Sequence, residues 1–313
     1  ILSSDWSSDV CSSDLVYAVM EHTGDVAGPP GRRIFWSGKP RFDIRKGENV
    51  MKKHGLRLLL TLCLATAFAV ALGAVPAATE SPPWYEMETA GDAYEFPITP
   101  EKTPEEWGKL RSIKKKLEVC QVPEEILETM STEGLIETCL AYPLMGNMMF
   151  QNDIYDGFLK HIETFNGLRE LLSREDAGPL LAEKYQALSL DDVLKSDDYP
   201  TFRLRYFEYI LAQPAVLNTL EPAQKEALLD HAVQLTDQKA QRYEEGFSIS
   251  PSTLLAGRIL MEDEGFAAEA EEREDIRLFL EKGTALTSEV LQCVTEQAGH
   301  RRISVGERRS YLN

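Results

Sequence analysis

Residues 152–173 read NDIYDGFLKHIETFNGLRELLS and contain the clearest helical pattern in the chain. Apolar side chains recur there at spacings of three and four residues, which places them on one face of an α-helix. The members of this stripe are Ile154, Phe158, Ile162, Phe165, Leu168 and Leu172. A stripe of this width must be covered, so we expect the segment to pack as one helix in a larger helical core.

The helical period continues through most of the chain after residue 100. Capping residues followed by proline or acids mark helix starts at residues 103–106, 123–125, 131–133, 221–222 and 250–251. Gly283 and Gly299 mark expected helix ends. Alternating β-branched runs with hairpin turns do not occur in this part of the sequence. The sequence therefore predicts an all-α fold, an irregular multi-helix bundle of about nine helices.

The first fifty residues have the composition of a leader and not of a domain. Residues 1–15 repeat Ser-Ser-Asp three times, and residues 8–15 (SDVCSSDL) resemble a translated sequencing adapter. Residues 16–50 mix glycine, proline and arginine without a helical or strand period. We interpret residues 1–50 as a non-native leader, made of adapter read-through and a translated upstream region. The alternative interpretation is a disordered Ser/Asp leader.

A secretory signal peptide is predicted at residues 51–77. Residues 51–57 (MKKHGLR) are basic, residues 58–72 are apolar, and the small residues Val75 and Ala77 precede the expected cleavage point. The alternative is an uncleaved anchor, but the apolar run is short for a membrane span of about 20 residues. We expect the protein to be secreted or to lie in the cell envelope.

The remaining chain is predicted to comprise a linker at 78–100, an all-helical domain at 101–299 and a basic tail at 300–313. Residues 78–313 contain 24 lysines and arginines against 44 aspartates and glutamates, a net charge of −20. Such a surface would repel phosphates, so a nucleic-acid partner is not expected. No second apolar run is long enough for a membrane span.

Three short segments resemble parts of a serine β-lactamase signature in the expected order. They are residues 112–115 (SIKK), 196–198 (SDD) and 282–284 (KGT). The third motif is scrambled relative to Lys-Thr-Gly, and no strand is predicted to carry it. We therefore expect no such active site.

Metal and cysteine chemistry are also not expected. His161, His231 and His300 each lack a second ligand at metal-binding spacing, and the acidic segments lack the spacing of a calcium loop. A Cys139–His161 nucleophile pair and a Cys120–Cys139 disulfide both stay open, although a thiol on an apolar face has a raised pKa. We predict no catalytic residue, cofactor site or metal site.

Five short segments carry a resemblance to other proteins: residues 120–124 (CQVPE), 130–133 (MSTE), 142–144 (YPL), 165–168 (FNGL) and 170–174 (ELLSR). With them the chain resembles, over about residues 107–185, a group of uncharacterised exported proteins from Gram-positive bacteria. In some members this helical region precedes a cysteine-amidase-like domain with an Asn-Cys-His motif. The motif does not occur here, so the resemblance implies an exported helical module and no catalytic residues.

The sequence therefore favours a non-catalytic exported helical module that binds a protein or a cell-envelope component. The alternative is the helical accessory region of a truncated cysteine-amidase-like hydrolase whose catalytic domain is missing. Tyr142, Pro143, Asn166 and Gly167 are the interaction candidates, because packing explains them least. A glycine inside a helix lowers helix stability by about 1 kcal/mol relative to alanine, so we expect something to approach the backbone closely at Gly167.

Overall fold

Every regular element in the described part of the chain is a helix, which confirms the predicted all-α class. The computed structural model describes residues 83–87, 91–195, 200–283 and 285–310, with side chains as far as Arg301. The predicted leader and signal peptide lie outside these residues. The described residues form fifteen α-helices and two 3-10 helices, more than the nine or so expected, because short breaks divide several predicted helices.

The first eight α-helices are α1 (Pro104–Lys109), α2 (Ile113–Val119), α3 (Glu124–Leu127), α4 (Thr132–Leu140), α5 (Ile154–Thr164), α6 (Asn166–Leu171), α7 (Ala177–Gln186) and α8 (Leu190–Lys195). The other seven are α9 (Pro200–Leu211), α10 (Pro214–Leu217), α11 (Pro222–Gln241), α12 (Ser250–Leu260), α13 (Glu264–Glu272), α14 (Glu274–Lys282) and α15 (Ser288–Ser310). The 3-10 helices are Met145–Phe150 and Tyr243–Glu245. None of the described helices combines the length and apolar composition needed to cross a bilayer.

Helix α9 connects the two halves of the helical body. It contacts α4, α5 and α7 from the first half and α12 from the second. Its residues from Tyr206 to Leu211 are all buried. A helix covered on every face is normally apolar all round. Glu208 is the charged exception among residues 206–211, and its partner is described below.

Helix α12 is the second buried helix. It contacts α9, α11, α14 and α15, and only Ser250 and Arg258 among its residues are not fully buried. Gly257 lets α14 approach closely, because a Cβ atom there would lie 2.6 Å from Leu280 Cδ2. Close packing of α14 therefore depends on the missing side chain at residue 257.

The segment 152–173 forms two helices where the sequence predicts one. Helix α5 ends at Thr164, Phe165 has an extended backbone with φ −111° and ψ 116°, and α6 begins at Asn166. The apolar stripe continues across this break, because Phe165 and Leu168 are both fully buried. Periodicity alone could not show the break, since it preserves the buried face.

The segment expected to be a linker lies against the helices. Its described residues, 83–87 and 91–100, form no helix or strand, but Trp84 and Phe96 are buried. Tyr94 N donates to Thr138 Oγ1 at 2.8 Å, and Met87 N donates to Glu137 Oε2 at 3.1 Å. The boundary expected at residue 101 therefore does not separate this segment, here called the N-terminal strap, from the core.

The last helix is longer than expected. Thr287 caps α15, accepting from Val290 N at 3.2 Å, and Gly283 ends α14 as predicted, with a left-handed φ of 65°. Helix α15 does not end at Gly299 but continues to Ser310, through most of the expected basic tail. No proline follows Gly299, and a single interior glycine costs only about 1 kcal/mol.

Arginine side chains bind the free carbonyl groups at several helix ends. Arg174 donates to Leu127 O at 2.9 Å, at the end of α3, and to Met130 O at 2.7 Å, just beyond it. Arg203 donates to Leu140 O at the end of α4. Arg258 joins two helix ends, donating to Ala212 O at 2.8 Å and to Leu280 O at 2.8 and 3.0 Å. These cations satisfy orphan carbonyls and oppose the negative end of the helix dipole.

We expect Arg258→Lys to lower the free energy of unfolding by about 2 kcal/mol, because Arg258 uses three separate nitrogens of a planar fork and a lysine has all its donors on one nitrogen. Arg277→Lys is the matched control, since Arg277 is exposed and lies 4.0 Å from Glu281. Urea unfolding followed by circular dichroism measures both. Equal stability of the two variants would contradict this role for Arg258.

Candidate functional site

The Tyr142–Pro143 corner follows the end of α4 and precedes the 3-10 helix Met145–Phe150. Tyr142 is buried, and its ring stacks on Phe165 with centroids 4.1 Å apart and planes 12° apart. Pro143 is half-buried. The corner therefore places an aromatic ring directly on the break between α5 and α6.

Asn166 uses its side-chain amide inside the fold. Its Oδ1 accepts from Val122 N at 3.0 Å, and its Nδ2 donates to Val122 O at 2.6 Å. The Gln121 side chain binds the backbone on both sides of the break. Its Oε1 accepts from Asn166 N at 3.0 Å, and its Nε2 donates to Thr164 O at 3.1 Å. These bonds satisfy backbone groups left free where α5 stops, so they supply a physical reason for the break.

Gly167 leaves space for the Phe165 ring. A Cβ atom at residue 167 would lie 2.5 Å from Phe165 Cζ and 3.0 Å from Phe165 Cε2. Phe165 thus lies between Tyr142 and Gly167, and the structure brings all four sequence candidates into one region. Each of Tyr142, Asn166 and Gly167 has an internal packing role there, while the predicted interaction with a partner stays a prediction.

Three buried polar atoms around this corner have no hydrogen-bond partner among the described residues: Tyr142 Oη, His161 Nδ1 and Tyr206 Oη. The His161 ring lies 5.3 Å from the Tyr142 ring and 5.8 Å from the Tyr206 ring, measured between centroids. Burial raises the pKa of both tyrosines and lowers the pKa of His161 to about 4. All three groups are therefore neutral near pH 7.

The cysteines of the described residues are free and buried. Cys120 and Cys139 form no disulfide, and burial raises the pKa of Cys120 to about 12 and the pKa of Cys139 further still. His161 is only 4% exposed, and its neutral imidazole has no bonded partner at Nδ1. Cys139 and His161 as placed therefore lack the thiolate and the access to solvent that a nucleophile pair needs.

A second polar cluster was not found from the sequence. Lys239 Nζ of α11 contacts Glu208 Oε1 of α9, and both side chains are 1% exposed. Tyr185 Oη of α7 donates to the same oxygen at 2.7 Å, and Lys239 Nζ lies 3.5 Å from Ser252 Oγ of α12. The sequence does not predict that Glu208 and Lys239 are buried, because charged residues are rarely found in a protein core. The one feature of the sequence that could have indicated this buried pair is Glu208 itself, a single acid within the otherwise uncharged run 206–212.

The contact between Ser252 and Lys239 contains a hydroxyl and a potential base, the parts of a serine nucleophile site. Both groups are buried, so a substrate has no access to them as placed. Of the β-lactamase-like residues, Ser112 caps α2 and Gly283 ends α14, while residues 196–198 and 284 lie outside the described residues.

The acidic segments near α13 and α14 have structural roles. Asp263 Oδ1 accepts from Phe266 N at 3.0 Å and caps α13. Arg273 binds Glu269 and Asp275 on either side of the turn between α13 and α14. Across the described residues, no group of three histidine, cysteine, aspartate or glutamate side chains is placed to hold a metal ion.

The surface beside the Tyr142–Pro143 corner carries two exposed apolar side chains, Met149 at 45% and Phe150 at 38% exposure. They end the 3-10 helix Met145–Phe150, which is anchored by the buried Met145 and Met148. Gly157 of α5 lies against the Met148 backbone, where a side chain would not fit. Met149 and Phe150 are therefore held at the surface by a well-packed support.

Comparisons with protein-family models, with curated proteins and with solved structures return no match for this chain. The resemblance to exported Gram-positive proteins accordingly stays an expectation from the sequence.

We expect Gly167→Ala to destabilise the protein by about 2 kcal/mol, because the new Cβ atom would displace the buried Phe165 ring. Gly299→Ala is the matched control: it is also a glycine within a helix, but a Cβ atom there meets nothing within 4 Å. That variant should be as stable as the wild type or up to about 1 kcal/mol more stable. Urea unfolding distinguishes the two, and a harmless Gly167→Ala would show that Phe165 does not need the space.

Burial of neutral His161 also predicts a pH dependence of stability. The pKa falls from 6.5 in the unfolded chain to about 4 in the fold, so the unfolded chain binds more protons between these values. Stability should therefore decrease as pH falls through this window, by about 2 kcal/mol between pH 7 and pH 5 from this residue.

His161→Gln isolates the contribution of the imidazole, because other groups titrate equally in both proteins. The free energy of unfolding of each protein is measured at pH 7 and pH 5. The wild type should lose about 2 kcal/mol more than the variant over this interval. An equal loss in the two proteins would show that folding does not lower the pKa of His161.

Proposed function

We propose that this chain is an exported, non-catalytic helical module that binds a protein or a cell-envelope component. The observation that carries the proposal is the pair Met149 and Phe150, two large apolar side chains adjacent in sequence and exposed on a rigidly supported 3-10 helix. Exposed apolar side chains that cluster on a firm support are typical of interaction sites.

The chemistry of the interior supports binding over catalysis. The cysteines of the described residues, Tyr185, Glu208 and Lys239 are all buried, and the last three contact one another. A binding module needs none of these groups to reach solvent. Export itself is proposed from the basic and apolar pattern of residues 51–77.

The net charge narrows the class of partner. With a charge of −20 over residues 78–313, the surface favours basic or uncharged partners over phosphate-rich polymers. Met149 and Phe150 would supply the apolar centre of such an interface.

The test measures co-sedimentation of the purified, fluorescently labelled chain with a cell-envelope fraction from a Gram-positive bacterium. We expect the double variant Met149→Ser, Phe150→Ser to bind at least about fivefold more weakly, since apolar anchors dominate interface energetics. The matched control is Met261→Ser, Leu278→Ser, which removes apolar side chains of similar exposure, 41% and 43%.

Wild-type binding that survives in the control but not in the first variant supports the proposal. Absence of wild-type binding, or equal loss in both double variants, contradicts it. Circular dichroism of all three proteins verifies that the surface substitutions leave the helical fold intact.

A further inference from the structure

The contact between Lys239 and Glu208 places an amine and a carboxyl group together where neither has access to solvent. The two residues belong to neighbouring elements of the core, α11 and α9, and lie 31 positions apart in sequence. The environment excludes competing water while holding the two groups in contact. These are the conditions under which a bimolecular condensation becomes an effectively intramolecular one.

The two oxygens of Glu208 have different surroundings. Oε1 accepts a hydrogen bond from Tyr185 Oη at 2.7 Å and contacts Lys239 Nζ. Oε2 is buried and has no hydrogen-bond partner among the described residues. A buried carboxylate oxygen without a partner is costly, so the ion pair is an incompletely satisfied arrangement.

We propose that Lys239 and Glu208 form an intramolecular amide bond between Lys239 Nζ and Glu208 Cδ, with the unpartnered Oε2 leaving as water. Tyr185 acts as the hydrogen-bond donor that polarises the C–Oε1 bond toward attack. The modification joins α9 to α11 covalently and needs no oxidant, reductant or activating group from outside the chain.

The step balances within the pair. One proton passes from the Lys239 ammonium to Oε2, giving a neutral amine and a carboxylic acid. The amine nitrogen attacks Cδ, a second proton passes from nitrogen to Oε2, and the Cδ–Oε2 bond breaks to release water. Burial lowers the pKa of Lys239, and it outweighs the opposite effect of the neighbouring Glu208 carboxylate, so the neutral amine is more accessible than in a solvated lysine.

The amide satisfies the surrounding groups better than the ion pair does. Its carbonyl oxygen, the former Oε1, keeps the hydrogen bond from Tyr185, and the unpartnered Oε2 is gone. Ser252 Oγ lies 3.5 Å from Lys239 Nζ and can accept a hydrogen bond from the N–H of the amide. Two buried charges are replaced by one neutral, hydrogen-bonded group.

The test is peptide mapping of the full chain after denaturation and trypsin digestion. An amide at Lys239 blocks cleavage there, so residues 226–242 should appear joined to residues 206–225, at a mass lower than their sum by one water. Tandem mass spectrometry assigns the link to Lys239 and Glu208. Lys225, which contacts Glu262 but is partly exposed, is an internal control and should remain cleavable and unlinked.

Recovery of unlinked 206–225 and of 226–239 ending at Lys239, without the joined species, overturns the proposal. Equal linkage at Lys225 overturns it too, since the bond would then not depend on this buried site. Three variants sharpen the result. Glu208→Gln should give the same bond with loss of ammonia, Lys239→Arg should give none, and Tyr185→Phe should lower the linked fraction in freshly folded protein.

Discussion

The contact between Glu208 and Lys239 constrains the rest of the structure. Separating two buried charged groups would leave each without a partner in an apolar core, at a cost of several kcal/mol. The contact therefore favours the register of α9 and α11 in which these side chains meet. Because α9 also packs on α4, α5, α7 and α12, that register is transmitted to both halves of the helical body. Tyr185 and Ser252 extend the constraint to α7 and α12 through their polar groups.

The other polar interactions stabilise the ends of short helices. Isolated helices of fewer than about 12 residues are marginal in water, and most α-helices here are shorter than that. Each helix end also leaves carbonyl or amide groups without a partner. Arg174, Arg203 and Arg258 bind those carbonyls across element boundaries, and Asn166 does the same for Val122. The tertiary structure thus supplies the caps that local sequence does not.

The all-α class could be predicted because it depends on periodicity, which the stripe from Ile154 to Leu172 shows directly. The break at Phe165 could not be predicted from the local sequence. Tyr142 and Gln121 stabilise it, and both lie more than twenty residues away along the chain. The sequence singles out Asn166 and Gly167 as interaction candidates because packing explains them least; the structure supplies packing reasons for both, and their interaction with a partner stays a prediction. The sequence predicts a linker at the strap because proline and glycine interrupt it, but two of its aromatic residues, Trp84 and Phe96, are buried. Glu208 was missed because composition cannot tell which one of many acids is buried.

This distribution of polar groups bears on what the surface can do. The side chains that could take part in chemistry are buried in the core. They are the thiols, the imidazole of His161 and the Lys239–Glu208 pair. The binding function proposed above would then rely on the surface, which offers acidic groups and a few exposed apolar side chains. Met148 and Met149 illustrate the division within one turn, because the first is fully buried against α5 and the second is exposed beside Phe150. The same 3-10 helix therefore serves both the core and the surface, and an interface built there inherits the rigidity of the fold beneath it.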